Sequence, residues 1–254
     1  MIRLVAPFTL GSTTATEDSG LFGHIVPLFR AVGAKINVHV VAIGAQALSL
    51  GERGEVNALL VHDRPGEGKF VADGHGTDRR DVMCNDFVIV GPKPDPAGIQ
   101  GLKSAREALA RIAAVQATFV SQGDDSGTNR LERRLWRSVE LRPDQSSAWY
   151  RQVGQRMGAT LNIAAGLDAY TLTDRATWAN FKNRRNLEVH TEHDPALYNP
   201  YSSIPVNPAG WPSANKAVAR LWHEWLTSKP GVDAITSYRI NGEQAFFPVD
   251  KAAT

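Results

Sequence analysis

The chain has 254 residues, of which 43% are apolar and 21% charged, with a formal charge of +2. These values describe a globular protein burying roughly 70–75% of its unfolded surface. They exclude a global field directed at nucleic acid or anionic lipid. The single cysteine, Cys84, excludes an internal disulfide and a thiolate metal cluster.

No run of about 18 apolar residues occurs, so no membrane insertion is expected. The start, Met1 to Val5, lacks the apolar core of a secretory leader. That leaves two expectations: an intracellular protein, or a mature exported form whose leader is replaced by Met1.

In chain order, Ile2 to Ala6 predicts a short strand, and the turn Ser12-Thr13-Thr14-Ala15-Thr16-Glu17-Asp18-Ser19-Gly20 follows. Thr14 and Glu17 stand at capping-box spacing, which predicts a helix from about Glu17 to Val32. Lys35 to Ile43 alternates and is rich in Val and Ile, a strand pattern. Ala45 to Arg53 then reads as a helix and Val56 to His62 as a strand. This is the βαβα rhythm of a mostly parallel sheet.

Asn85 to Pro92 is a further strand, ended by Lys93-Pro94-Asp95-Pro96. Helices are predicted over Ser104 to Ala114, Ser126 to Val139, Ser146 to Gln155 and Gly158 to Ala165, with a strand from Ala117 to Ser121. Asn199 to Pro212, rich in Pro and Asn, reads as a loop. Val218, Leu221, Trp222 and Trp225 fall at helical spacing within Ala214 to Thr227, the core stripe of a last helix. The chain therefore leaves a first lobe near Val90 and returns near Tyr201. The expected lobes are 1–88 with 201–254, and 89–200.

Two turns share one chemistry. The first is the Ser/Thr turn at 12–20; the second is Ser121-Gln122-Gly123-Asp124-Asp125-Ser126-Gly127-Thr128. Each follows a strand pattern and opens a helix pattern. Such a turn gathers unpaired N–H groups, hydroxyls and the positive end of a helix dipole. Two of them suggest a pair of jaws closing on a small anion.

At these motifs the chain resembles the tungstate-binding component of ABC importers, a branch of the type II periplasmic binding proteins. The likeness runs through Leu59 to His62, Arg79 to Met83, Asn85 to Pro92, Asp95 to Ile99, Gly123 to Thr128, Met157 to Asn162 and Tyr170 to Arg175. The resemblance implies an α/β fold of two lobes joined by a two-strand hinge, with the ligand cleft between them. It also implies a monomer that captures tungstate or molybdate and delivers it to a membrane permease, without cofactor, resident metal or catalysis. A periplasmic or exported location follows, with the cytoplasm left open.

Ligand contacts are expected from Ser12, Thr13 and Thr14 in the first turn, with Gly44 and Gln46 at the same edge. Gln122, Thr128, Arg156 and Tyr170 are expected from the second lobe. Thr14 capping its own helix competes with ligand donation, and a core or hinge role competes at Tyr170. The chain departs from the family pattern at the site. Ser12-Thr13-Thr14-Ala15 stands where Thr-Thr-Thr-Ser is usual, and Gln122 stands where an Arg usually precedes Gly-Asp-Asp-Ser-Gly. Arg156, where the family has Gly, would restore the missing charge; the competing reading has it in solvent with the ligand changed.

Tungstate and molybdate are fully deprotonated at neutral pH, so their site needs donors only. Phosphate retains a proton and favours a carboxylate acceptor. Asp124 and Asp125 are the nearest carboxylates, and one of them is expected to cap the helix beginning near Ser126. The cluster His190-Thr191-Glu192-His193-Asp194 holds plausible metal ligands, but its flanks read as an exposed loop and no second cluster completes a site. Arg79-Arg80-Asp81 and Arg133-Arg134 read as solvated faces, and Arg184-Arg185 is weak as a nucleic-acid patch. The alternative function is a sensor or enzyme that reuses the fold for another anion or a small metabolite.

Overall fold

The computed structural model describes residues 8–31, 38–42, 46–144, 146–210 and 216–249. It divides into two compact units, Met1–Cys84 with Pro200–Thr254, and Asn85–Asn199. The expected strand Ile2 to Ala6 lies outside the described residues, as does Gly44.

The first unit opens with β1 (Phe8–Ser12), α1 (Thr14–Asp18) and α2 (Leu21–Ala31). Next come β2 (Val38–Ala42), α3 (Ala47–Glu52), β3 (Ala58–Val61), α4 (Arg64–Ala72) and β4 (Arg80–Pro92). The single helix expected from Glu17 is thus two, broken at Ser19-Gly20. Gly20 takes φ +80, and Thr13, not Thr14, is the N-cap. β1 pairs parallel with both β2 and β3.

β4 carries the chain into the second unit. Its alternating residues face two layers there, as a strand period of two requires. Phe87 and Ile89 pack with α5 (Ala105–Ala114), β5 (Phe119–Ser121) and α6 (Gly127–Ser138). Val88 and Val90 pack instead with α7 (Met157–Leu167), which follows β6 (Tyr150–Gln152). β7 (Thr171–Asp174), α8 (Arg175–Asn180) and β8 (Leu187–Thr191) complete the unit, with β7 and β8 both antiparallel to β4. The helix expected over Ser146 to Gln155 is absent. Its middle is β6, which pairs parallel with β5.

β9 (Tyr198–Pro205) returns the chain to the first unit and pairs antiparallel with β3, from Ala58↔Pro205 to Val61↔Ser202. The loop expected over Asn199 to Pro212 is therefore a strand for its first half, because its partner supplies the ladder that Pro and Asn disfavour locally. α9 (Lys216–Thr227), α10 (Lys229–Ser237), β10 (Arg239–Ile240) and β11 (Glu243–Gln244) end the fold. The α9 stripe buries Val218, Trp222 and Trp225; Leu221 lies outside it, 39% exposed. Trp222 meets Phe29 edge-on, ring centroids 5.0 Å apart. No helix among the described residues is long and apolar enough to cross a membrane.

Candidate functional site

In the first unit, the end of β1 delivers three consecutive hydroxyls with three different fates. Ser12 Oγ donates to the Leu60 carbonyl at 2.6 Å, tying β1 to β3. Thr13 caps α1: its Oγ1 accepts from the Thr16 N–H at 3.3 Å and lies 2.8 Å from Thr16 Oγ1 and 3.1 Å from His62 Nε2. The His62 ring packs on Tyr201, centroids 4.7 Å apart. Thr14 is buried, yet its hydroxyl has no hydrogen-bond partner among the described residues. Of the three expected donors, two are committed to structure and Thr14 is left available. Gln46 is exposed at the start of α3 and makes no side-chain cap.

The second unit builds its turn from β5 into α6. Ser126 is the N-cap, accepting from the Asn129 N–H at 3.3 Å. Neither aspartate caps the helix directly, which corrects the sequence expectation. Asp124 instead closes the turn in front of it: Oδ1 accepts from the Ser126 N–H at 3.0 Å, Oδ2 from Gln122 Nε2 at 2.8 Å. Asp125, in the left-handed region at φ 57, faces outward with its side chain 58% exposed. Its carboxylate pairs with Arg130 at 2.9 Å, a bond that holds its pKa below the ordinary carboxylate value. Gly123 at φ +63 permits the reversal, and a Cβ there would lie 3.0 Å from Gln152 Cβ.

Asp124 is thus occupied within the turn and Asp125 by Arg130 of α6, and the groups the turn leaves over are mostly donors. Gly127 and Thr128 open α6, so their N–H groups have no intrahelical acceptor. Thr128 is 2% exposed, and its hydroxyl has no partner among the described residues. Gln122 is buried with one amide hydrogen still free and its Oε1 unpartnered.

The start of α7 joins this turn through the backbone, Gln155 N–H donating to the Gln122 carbonyl at 3.2 Å. Arg156 is the N-cap of α7; its side chain makes no cap bond and is exposed. No ion pair engages it among the described residues. A free guanidinium therefore stands one residue beyond the segment bonded to Gln122.

Tyr170 does not belong to this set. It is buried, its hydroxyl donates to Asp95 Oδ1 at 2.6 Å and accepts from the Ala97 N–H at 3.1 Å. Burial, reinforced by the Asp95 bond, raises its pKa, so the hydroxyl stays protonated as a structural tie. The residues from His190 to Asp194 are placed by separate contacts. His190 and Thr191 are buried at the end of β8, Glu192 pairs with Arg175 at 2.8 Å, and Asp194 caps the turn Pro195–Leu197. Glu192 and His193 approach each other at 3.5 Å, but no group of three that could hold a metal forms among the described residues.

Sequence reasoning overlooked Glu132, a carboxylate inside the apolar stripe of α6. The signal was its place beside Thr128, Leu135 and Trp136 on the inward face. Also unforeseen was the link from Thr13 to His62, two residues 49 positions apart.

Two α/β units, each presenting donors from a strand-to-helix turn, define the class: the chain matches the PBP superfamily domain over residues 7–230 and belongs to that superfamily. Within it the chain is a member of the family of the tungstate-binding proteins. It is 39% identical to the tungstate-binding protein TupA of Peptoclostridium acidaminophilum, over 90% of this chain and 80% of that protein. Among solved structures, it is similar to the tungstate-binding protein TupA of Desulfovibrio alaskensis G20: 38% identity, TM-score 0.83, covering 97% of this chain and 100% of that one. The tungstate ABC transporter structure from Geobacter sulfurreducens is 43% identical, with a TM-score of 0.82, over 91% of this chain and 98% of that one. The fold is that of the type II periplasmic binding proteins.

Proposed function

We propose that this protein is the solute-binding component of an ABC importer, capturing tungstate or molybdate outside the membrane for a permease. It binds its guest and does no chemistry on it. The observation that carries this reading is the donor balance of the 122–128 turn. Asp124 and Asp125 are both engaged inside the turn or by Arg130, while the N–H groups of Gly127 and Thr128 and the Thr128 hydroxyl remain open. A tetrahedral dianion with no proton to give fits such a set; hydrogen phosphate, which offers a proton, finds no free carboxylate there.

In this reading Thr14 is the donor proposed for the first unit, and Thr128, Gln122 and Arg156 are those proposed for the second, each unit taken by itself. The family similarity supports the ligand, since the relatives are tungstate-binding proteins by name. Arg156 is the chain's own substitute for the charge that Gln122 lacks, a reading supported by its freedom from any ion pair among the described residues. Calorimetric titration with tungstate, molybdate, sulfate and phosphate tests the function. Tungstate or molybdate is expected to bind at least about tenfold more tightly than the other two. Preference for phosphate, or no binding by any of the four, refutes it.

A further inference from the structure

Glu132 is 3% exposed on the inward face of α6, one turn beyond Thr128 and Asn129. Three uncharged donors hold it. Its Oε1 accepts from the Trp136 indole at 3.1 Å and the Tyr150 hydroxyl at 2.7 Å; its Oε2 accepts from Ser121 Oγ at 2.8 Å. A carboxylate buried in this way is costly, and an apolar residue would fill the space more cheaply.

What it supplies is direction. An ionised carboxylate only accepts, so Ser121 must donate to it. The Ser121 oxygen is then free to accept from Asn129 Nδ2 at 3.1 Å. That bond turns Asn129 Oδ1 toward the Asp125 N–H, which donates to it at 3.2 Å. Asn129 N–H in turn donates to the N-cap hydroxyl of Ser126. The protons of Ser121, of the Asn129 amide and of the Asp125 N–H all point toward Glu132, while the Asn129 backbone N–H fixes the Ser126 cap on the loop that opens α6.

We propose that Glu132 is a positioning residue of the oxyanion half-site. Its acceptor-only carboxylate sets the direction of the Ser121–Asn129–Asp125 relay and so holds the Gly127–Thr128 turn ready for the ligand. The inference rests on the functional reading above. Glu132→Gln preserves the side chain's shape but sets an amide N–H2 against Ser121, which already faces the Asn129 amide. The flipped amide meets the Trp136 indole N–H instead. In either orientation one proton loses its acceptor.

The test is calorimetric titration of tungstate at about pH 8 into the wild-type, Glu132→Gln, Ser121→Ala and Tyr150→Phe chains, with unliganded thermal unfolding measured alongside. Glu132→Gln and Ser121→Ala are each expected to bind about tenfold more weakly. Tyr150→Phe removes a bond to the same carboxylate outside the relay, and should stay within about twofold of wild type. The Trp136 indole N–H resonance gives a direct signature: it moves with tungstate in the wild type and not in Ser121→Ala. A purely structural role would instead make affinity follow thermal stability across all three variants. Glu132→Gln or Ser121→Ala binding like wild type, Tyr150→Phe weakened as much as they are, or an indole resonance indifferent to tungstate overturns the inference. If Glu132→Gln does not fold, Ser121→Ala decides. A wild-type chain that takes up no tungstate overturns the functional reading, and this inference with it.

Discussion

Three neighbouring hydroxyls, Ser12, Thr13 and Thr14, look alike in a sequence and behave differently in the fold. Ser12 and Thr13 are spent on Leu60, Thr16 and His62; Thr14 is not. Thr13→Ala should therefore cost stability, about 1 kcal/mol for the lost cap, measurable by urea unfolding. Thr14→Val should leave that stability nearly unchanged and weaken tungstate binding. Arg156→Ala should do the same in the second unit. Loss of a charge-assisted donor is worth about 1.5–3 kcal/mol, or roughly 10–150-fold in the dissociation constant. Because Arg156 is exposed, its removal should not lower the melting temperature. Equal affinity for wild type and Arg156→Ala would leave Gln122 without a substitute for the family's charge.

Among the elements, helices with their own local signals were legible. Ser104 and Ser126 cap α5 and α6 with side chains that accept from Glu107 and Asn129, a pattern contained in four residues. Strands that depend on a distant partner were not. β9 reads as a loop because Asn199, Pro200 and Pro205 are local breakers, and it exists because β3 lies beside it. β6 reads as helix and is drawn into a ladder by β5. The hydroxyl-rich turns of the candidate site were legible for the same reason as the caps. The division of labour within them was not, since it is set by His62, Leu60 and Glu132. One close approach gives a test at this scale. A Cβ on Gly91 would lie 2.2 Å from Tyr170 Cδ1. Gly91→Ala should push that ring off β4, strain its tie to Asp95, and destabilise the protein by about 1–3 kcal/mol in denaturant unfolding.

For the molecule as a whole, Glu132 imposes a pH dependence with a definite sign. Burial pushes its carboxyl up to about 7 from the ordinary 4.5, against the opposing hydrogen bonds from Tyr150, Ser121 and Trp136. Between those values the folded state holds a proton that the unfolded chain has released. Its contribution to stability therefore falls as pH rises from about 4.5 to about 7, and is level above that. The accumulated penalty is on the order of 3 kcal/mol. Unfolding free energies measured at several pH values should show Glu132→Gln gaining on wild type across that window. Parallel curves for the two chains would contradict it. Ligand binding should add stability in its turn: tungstate at about one hundred times its dissociation constant contributes about 2.7 kcal/mol, read as a rise in melting temperature.

The path of the chain through β4 and β9 also bears on how the protein is made. Residues 85–199 form one unbroken stretch whose ends meet, Asn199 Nδ2 donating to Asn85 Oδ1 at 2.7 Å. The other unit is split, and Val61 waits for Ser202 before its strand has a neighbour on that side. On the ribosome the inserted stretch is complete while the earlier half still lacks its closing strand. The half that begins first must finish last.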